Sequence, residues 1–199
     1  MKRTFLEAVE NRRSQYALSA ESPISDERIQ EIVETVLKHA PSSYHSQTSR
    51  VVILRGEEHK ALWNIVLETL RGIVPPESFK TTENKIGGFA AAYGSLLFFE
   101  DQDTVEKLQK DYPVFAQTFP VYSMHHAGMV QILIWTALEN EGLGASLQHY
   151  NPLIDQQVKE RWGLPQGWKL IAQMPFGTVT APAKAKKFMD IRERVFVKG

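Results

Sequence analysis

The stretch HHAGMVQILIWTALENEGLGASLQHY, residues 125–150, carries the most information about the fold. Its first part, residues 125–141, is the most apolar helical pattern in the chain, and its apolar surface is wider than a single stripe. A helix of this kind is expected to be buried on several sides. Gly142 and Gly144 end it, because glycine is the preferred residue just beyond the C-terminus of a helix.

The same glycines do not form a dinucleotide-binding loop. That motif must follow a strand and open a helix, whereas Gly142 and Gly144 follow a helix. Leu147 stands where the third glycine of the motif belongs. We therefore reject a Rossmann site, and residues 146–150 remain as a candidate ligand-facing edge.

Shorter helical and strand patterns surround this stretch. Ser25 is a typical N-cap residue and predicts a helix over residues 26–40. Apolar residues at helical spacing predict further helices over residues 4–11, 57–72, 75–89, 104–110 and 152–162. Short apolar runs predict strands over residues 51–54, 95–100, 169–174 and 194–197. No repeat or linker interrupts the series. We predict a single α+β or α/β domain whose C-terminal tail has little local structure.

The composition narrows the function classes. The chain has 199 residues with 23 basic and 23 acidic side chains, and a nucleic-acid-binding protein usually carries a basic excess, so no nucleic-acid partner is expected. It has no cysteine, which excludes thiolate metal sites and cysteine nucleophiles. The apolar runs are too short for a membrane span, and residues 1–7 lack the apolar core of a signal peptide. We expect a cytoplasmic protein with no membrane partner.

Two basic segments are candidates for binding a phosphate group. Arg12 and Arg13 lie just before Ser14 at the end of the first helix, and guanidinium groups form bidentate, charge-assisted bonds with phosphate. Residues 184–187 place three lysines in the tail. For either segment taken alone, a solvated helix end or a solvated basic run is the more common interpretation.

A polar loop follows the second helix. Its sequence is Ala40-Pro41-Ser42-Ser43-Tyr44-His45-Ser46-Gln47, rich in hydroxyl groups with one amide. Such groups can form hydrogen bonds with the carbonyls and ring nitrogens of a heteroaromatic ligand. A hydrated, capped turn is an equally good interpretation of the same residues.

No pattern indicates a metal site or a protein nucleophile. His125 and His126 are adjacent, so on a helix their rings diverge by about a third of a turn and do not readily share a metal. We interpret them as core or interface residues. The HExxH, GxSxG and Walker motifs do not occur in the sequence.

Taken together, these segments resemble the nitroreductase family, in particular a short branch of fungal and bacterial members. The features that carry the resemblance are the basic segment at residues 12–16, the loop at residues 40–50, the glycine turn at residues 142–152 and the basic tail, in this order along nearly the whole chain. The resemblance implies an α+β fold, with a central, mostly antiparallel sheet flanked by helices, in an intertwined homodimer. Residues 1–199 would form one domain, with residues 178–199 as a C-terminal extension that packs on the partner subunit.

The resemblance also implies FMN at the subunit interface. Arg12 and Ser14 would hold the phosphate together with the tail lysines, the polar loop would reach the flavin from the other subunit, and residues 147–148 would line its ring. The implied cofactor-binding residues are Arg12, Arg13, Ser14, Tyr16, Ser42, Ser43, Ser46, Gln47, Leu147, Gln148, Lys186 and Lys187. The flavin would carry the hydride, so no catalytic side chain and no metal are expected.

The expected reaction transfers hydride from NAD(P)H to a nitroaromatic or quinone-like acceptor by a ping-pong mechanism. One departure bears on its rate, because many members of the family have a basic residue where Tyr16 stands. That cation lies near the flavin and favours its reduced, anionic form. The departure keeps open an alternative, a flavin-binding stress-response or regulatory protein with slow turnover. A third interpretation is a helical interaction module without a ligand.

Overall fold

An antiparallel sheet of five strands forms the centre of the molecule, as seen in a computed structural model that describes residues 3–199. Met1 and Lys2, which begin the charged N-terminal segment, lie outside the described residues. The strands are β1 (Leu18–Ser19), β2 (Ser49–Arg55), β3 (Gly94–Asp101), β4 (Leu143–Ala145) and β5 (Trp168–Val179). Their order is β1-β5-β3-β2, and β4 also pairs with β5. The mostly antiparallel sheet that the resemblance implies is therefore confirmed.

Seven α-helices in the described part of the chain cover the sheet. They are α1 (Phe5–Asn11), α2 (Asp26–His39), α3 (Gly56–Arg71), α4 (Pro76–Ala90), α5 (Gln102–Asp111), α6 (Phe119–Asn140) and α7 (Asp155–Trp162). Their starts follow local sequence signals: Thr4 and Glu7 form a capping box on α1, and the Ser25 hydroxyl accepts a hydrogen bond from the Arg28 backbone N–H on α2. None of the described helices is long and apolar enough to cross a membrane.

Strand β3 is buried along its whole length, because helices pack on both faces of the sheet. Leu96 and Phe98 belong to a core cluster with residues of α2 and α6. Leu97 and Phe99, which point the other way, belong to a second cluster with residues of α3, α4 and α7. A strand covered on both faces reads as a continuous apolar run, and residues 95–100 have this pattern.

Helix α6 lies against the sheet, with Val130, Ile134 and Leu138 fully buried. It begins at Phe119, six residues before the predicted start. Pro120 lies in its first turn, where proline is well tolerated because its missing N–H would have no partner within the helix. Its opposite face is apolar as well, and Met129 and Ile132 are each 41% exposed. The predicted burial on several sides is met only in part within one chain, because one apolar face of α6 stays uncovered.

Three expectations about elements need correction. The predicted strand at residues 194–197 is wrong, because the tail contains only a 3₁₀ turn at Ile191–Glu193. A strand needs a neighbouring strand, and no described strand pairs with the tail. Strand β5 continues five residues past the predicted end, where β1 and β4 supply its partners. Helix α7 begins at Asp155 instead of residue 152, after a turn.

Candidate active site

A cavity of about 670 Å³ lies between two chain segments that are far apart in sequence, residues 12–17 and 181–186. We call it the basic cavity, because four of its lining residues are cationic: Arg12, Arg13, Lys184 and Lys186. The chain thus brings the end of the first helix next to the basic tail, as a shared phosphate clamp requires. Lys187 does not line this cavity.

Arg12 is held by local structure and by a ring beneath it. Helix α1 ends at Asn11, and the Arg12 backbone N–H donates to the Ala8 carbonyl at 2.9 Å. The guanidinium carbon lies 4.3 Å from the centroid of the Trp135 ring on α6, which is a cation–π contact. The side chain is therefore partly buried and restricted at the cavity wall.

The cations of the basic cavity repel one another. Partial burial lowers the pKa of Arg12, Arg13 lowers it further, and the carboxylate of Glu139 offsets part of this shift. Desolvation also lowers the pKa of Lys186, with added repulsion from Arg13 and Arg12. None of these three residues forms an ion pair with any residue of 3–199. Unpaired cations that face one cavity fit an anionic ligand such as a phosphate group.

Strand β4 holds the basic segment in place. Ser14 forms an isolated parallel bridge with Ala145, and the Gln15 backbone N–H donates to the Ala145 carbonyl at 2.9 Å. A side chain at Gly144 would bring its Cβ within 2.4 Å of Val179, so only glycine allows this close approach. The glycine pattern predicted only a helix stop at Gly144, whereas the residue lies in strand β4.

The residues after β4 extend along β5. Gln148 exchanges backbone hydrogen bonds with Gln173 at 2.7 and 2.9 Å, and its side-chain amide donates to the Ser146 hydroxyl at 3.1 Å. Leu147 is partly buried against the core. Both predicted ring-lining residues therefore come shortly after Ala145, the residue of β4 that bonds to the basic segment. Gln148 is largely buried.

Tyr16 lies at an aromatic corner beyond the basic segment. Its exposed ring is 6.3 Å from the Phe89 ring, measured between centroids. The ammonium of Lys85 lies 5.8 Å from the Phe89 ring and 6.0 Å from the Tyr150 ring. The ammonium of Lys85 thus lies near the Phe89 ring that Tyr16 also contacts. Nothing in the sequence around Lys85 distinguishes it from other lysines on helices, so its place beside these rings could not be predicted.

The polar loop has an unusual backbone. Tyr44, His45 and Gln47 have φ values of 54°, 52° and 50°, in the left-handed region that few residues other than glycine adopt. The Ser42 hydroxyl accepts a hydrogen bond from the Gln47 backbone N–H at 3.0 Å and helps to close the loop. Ser43 and Ser46 are partly exposed on the same turn. Strain of this kind is concentrated at functional sites.

A second cavity, of about 240 Å³, opens between this loop and α6, and we call it the loop cavity. Its lining residues are Pro41, Ser42, Ser43, Tyr122, His125, His126 and Met129. It shares no lining residue with the basic cavity. Within the described chain, the predicted phosphate clamp and the predicted flavin-contacting loop therefore lie in separate places.

The two adjacent histidines of α6 have different environments. His126 is buried, and its Nδ1 lies 3.0 Å from the Pro41 carbonyl oxygen. Burial lowers the pKa of His126. The interpretation as a core residue is confirmed for His126, whereas His125 is exposed at the loop cavity. Among residues 3–199, no three His, Cys, Asp or Glu side chains are arranged to hold a metal ion.

Comparison with known proteins gives a consistent family assignment. The model of the nitroreductase family matches residues 9–178. The nitroreductase FRM2 of Saccharomyces cerevisiae is 37% identical over 191 residues, which cover 94% of this chain and 93% of the yeast protein. Both matches extend from the basic segment through most of β5.

Solved structures agree with this result. The nitroreductase CinD of Lactococcus lactis, solved in complex with chloramphenicol, is 41% identical, with a TM-score of 0.90 over 98% of this chain and 100% of that chain. CinD has also been solved with 4-nitrophenol, at the same identity and TM-score. A protein of Exiguobacterium sibiricum in complex with FMN shares the fold, with a TM-score of 0.71 at 17% identity over 98% of each chain.

The fold and the relatives lead to the same conclusion. The arrangement of helices around an antiparallel sheet matches the nitroreductase structures over nearly the full length of the chain. Relatives at this level of identity are named as nitroreductases in both yeast and bacteria. This chain belongs to the nitroreductase family of oxidoreductases.

Proposed function

We propose that this nitroreductase uses FMN to transfer hydride from NAD(P)H to nitroaromatic or quinone-like acceptors. The observation that carries the proposal is the basic cavity, where Arg12, Arg13 and Lys186 face one space and none of them forms an ion pair with a described residue. This arrangement suits the terminal phosphate of FMN. Recognition of FAD commonly uses a dinucleotide-binding loop, and the chain lacks that motif.

The residues that would hold FMN form three groups. Arg12, Arg13, Ser14 and Lys186 would bind the phosphate in the basic cavity, with Lys187 nearby on the tail. Tyr16, Leu147 and Gln148 would lie beside the ring system. The serines of the polar loop and Gln47 would reach the flavin from the partner subunit, because they lie apart from the basic cavity within one chain.

A homodimer would bring these groups together. Large apolar side chains remain exposed on α6, on α1 and along the tail, including Ile132, Phe5 and Phe196. Exposed apolar surface of this extent is typical of protein–protein interfaces. We propose that α6 and residues 178–199 pack on a second copy of the chain, and that each FMN site takes residues from both subunits.

Bound FMN supplies the redox chemistry, because it accepts hydride from the nicotinamide and passes it to the acceptor. The protein would position NAD(P)H and the acceptor in turn over the same open face of the flavin, which would give ping-pong kinetics. Complexes of CinD with chloramphenicol and 4-nitrophenol support a nitroaromatic acceptor class for this chain. The FMN complex of a fold neighbour is consistent with the cofactor assignment.

The test combines cofactor analysis with steady-state kinetics. The flavin released from purified protein is identified by chromatography, and oxidation of NADH and NADPH is followed with 4-nitrobenzoate and with a quinone as acceptors. We expect FMN and a pattern of parallel lines in double-reciprocal plots. Protein freed of flavin and then supplied with FAD instead of FMN is the control.

The outcomes separate the proposed enzyme from the alternative. Recovery of FAD, or binding of no flavin even when FMN is supplied, would reject the proposal. FMN binding with only slow turnover for every acceptor would favour a flavin-binding regulatory or stress-response protein, for which the replacement of a basic residue by Tyr16 is the supporting observation.

A further inference from the structure

The loop cavity has a volume and a lining that suit a single aromatic ring. Its volume of about 240 Å³ is below the range of about 300–1,000 Å³ typical of pockets for drug-sized ligands. Tyr122, His125, His126 and Met129 lie at helical spacing on one face of α6, opposite the serines of the polar loop. A small, flat molecule would therefore contact an aromatic helix face on one side and hydroxyl groups on the other.

The Tyr122 ring is held in place by a buried aromatic neighbour. Phe119 is fully buried, and the Tyr122 ring meets it at 89° with the centroids 6.3 Å apart, an edge-to-face contact. Tyr44 of the polar loop packs on Phe119 as well, at 5.5 Å. Tyr122 itself remains 39% exposed at the cavity. An electron-rich phenol ring fixed in this way can stack on an electron-poor ring such as a nitroaromatic.

His125 is the polar group next to this ring, 6.4 Å from Tyr122 between centroids. Across residues 3–199 its side chain takes part in no ion pair or hydrogen bond with the protein. His126 instead turns inward to Pro41 and fixes the wall of the cavity. An imidazole without a protein partner, at the mouth of a small cavity, is available to donate a hydrogen bond to a ligand oxygen.

We propose that His125 and Tyr122 bind the acceptor, with Tyr122 stacking on its ring and the imidazole N–H of His125 donating a hydrogen bond to a nitro or quinone oxygen. This inference rests on the proposed function, in which Ser42 and Ser43 of the same cavity reach the flavin. It assigns acceptor specificity to the face of α6 that lines the loop cavity. NAD(P)H is too large to be enclosed by this cavity, so its binding should depend much less on His125.

The test measures binding of 4-nitrophenol to the oxidised, FMN-loaded protein without any nicotinamide, through the perturbation of the flavin absorbance. We expect His125→Leu to raise the dissociation constant roughly three- to tenfold, the effect of one neutral hydrogen bond. His125→Gln, which keeps an N–H donor, should restore most of the affinity. Tyr122→Leu should cost a similar factor, and Tyr122→Phe should cost little.

The control is His39→Leu, a substitution of an exposed histidine at the end of α2, away from both cavities. Unchanged affinity in His125→Leu would overturn the inference and leave the proposed function standing. Equal weakening in His125→Leu and His125→Gln would also overturn it, because a donor would then not matter. A change from dimer to monomer in His125→Leu would overturn it as well, because the residue would then be an interface contact. Failure of wild-type protein to take up FMN would overturn both proposals.

Discussion

Arg12 and Lys186 face the same cavity, but the chain holds them differently. Arg12 is the C-cap residue that follows α1, and its guanidinium lies on the Trp135 ring, so little conformational freedom remains to be lost when an anion binds. Lys186 is exposed on the tail, and Lys187 lies beside it in sequence. The two cations should therefore contribute unequally to cofactor binding.

Arg12→Ala is expected to weaken FMN binding by about 30- to 150-fold, the loss of a bidentate contact worth about 2–3 kcal/mol. Lys186→Ala should cost under about 1 kcal/mol, because an exposed point charge with a neighbouring lysine is easily replaced. Titration of apo protein with FMN, followed by quenching of flavin fluorescence, measures both values. If Arg12→Ala bound FMN as tightly as wild type, Arg12 and Arg13 would be a solvated helix end.

His59 shows a different effect at the residue scale, because it is buried away from both cavities. Its Nδ1 lies 2.9 Å from the Ser95 hydroxyl, which also accepts a hydrogen bond from the Trp63 indole N–H. Its Nε2 is buried and has no hydrogen-bond partner among the described residues. Burial lowers the pKa of His59 from 6.5 to about 4. The folded state therefore requires the neutral ring.

The pH dependence of stability follows from this shift. The pKa of His59 is lower in the folded state than in the unfolded state. The contribution of the neutral ring to the free energy of unfolding is therefore complete above about pH 6.5 and is lost as the pH falls toward 4. We expect wild type to lose roughly 2–3 kcal/mol more than His59→Gln between pH 7 and pH 4.5. Urea unfolding at both pH values measures the difference. His39→Gln is the exposed control, and an equal loss in wild type and His59→Gln would contradict the prediction.

At the scale of elements, the end of β5 is the most crowded part of the sheet. Strands β1 and β4 both pair with residues 176–179, and the backbone chains approach closely there. A Cβ at Gly177 would lie 2.3 Å from the Ser19 carbonyl oxygen and 3.0 Å from the Tyr93 backbone nitrogen. Both neighbours are backbone atoms, so neither can move aside without breaking the sheet.

Gly177→Ala should lower the free energy of unfolding by about 2–4 kcal/mol, the range of severe overpacking. The matched control is Gly87→Ala on α4, where an added Cβ meets no atom within 4 Å. That change should be neutral or stabilising by up to about 1 kcal/mol, since alanine favours a helix over glycine. Thermal unfolding of the two variants tests the contrast. Equal melting temperatures would mean that β1 is not held tightly against β5.

At the scale of the whole molecule, the tail (residues 178–199) exposes more apolar surface than is usual for a monomeric protein. Phe188 is 82% exposed and Phe196 is 74% exposed, although both are large aromatic side chains. Such residues are stabilising only when a partner covers them. In the proposed dimer, the tail would lie on the second subunit and bring Lys186 to the basic cavity in a fixed position.

Replacing both phenylalanines by serine should therefore weaken the dimer. Burial of a phenylalanine side chain contributes about 1.5–3 kcal/mol, so we expect Phe188→Ser with Phe196→Ser to raise the dimer dissociation constant at least about tenfold. Sedimentation equilibrium measures it, and far-UV circular dichroism checks that the fold is kept. Ile73→Ser, at an exposed position after α3, is the control. An unchanged dimer, or a monomeric wild type, would reject this role of the tail.

The sequence by itself determined the elements whose signals are local. The apolar helix α6, the Ser25 cap of α2 and the continuous apolar run of β3 could each be predicted from nearby residues. The family was identified in the same way, because four separate segments occur in the expected order. Together these signals fix the fold, since elements of this kind and order match a single known architecture over most of the chain.

Only the tertiary structure decided where these segments meet. Strands β1 and β4 have two and three residues, too few for any periodicity, and they exist because β5 offers them hydrogen-bond partners. The basic cavity joins residues 12–17 to residues 181–186, and Trp135 supports it from a third element. His125 and His126 are neighbours of the same residue type, yet His125 is exposed and His126 is buried. Local sequence patterns indicate which secondary structure a residue favours, whereas its contacts with distant residues depend on tertiary packing.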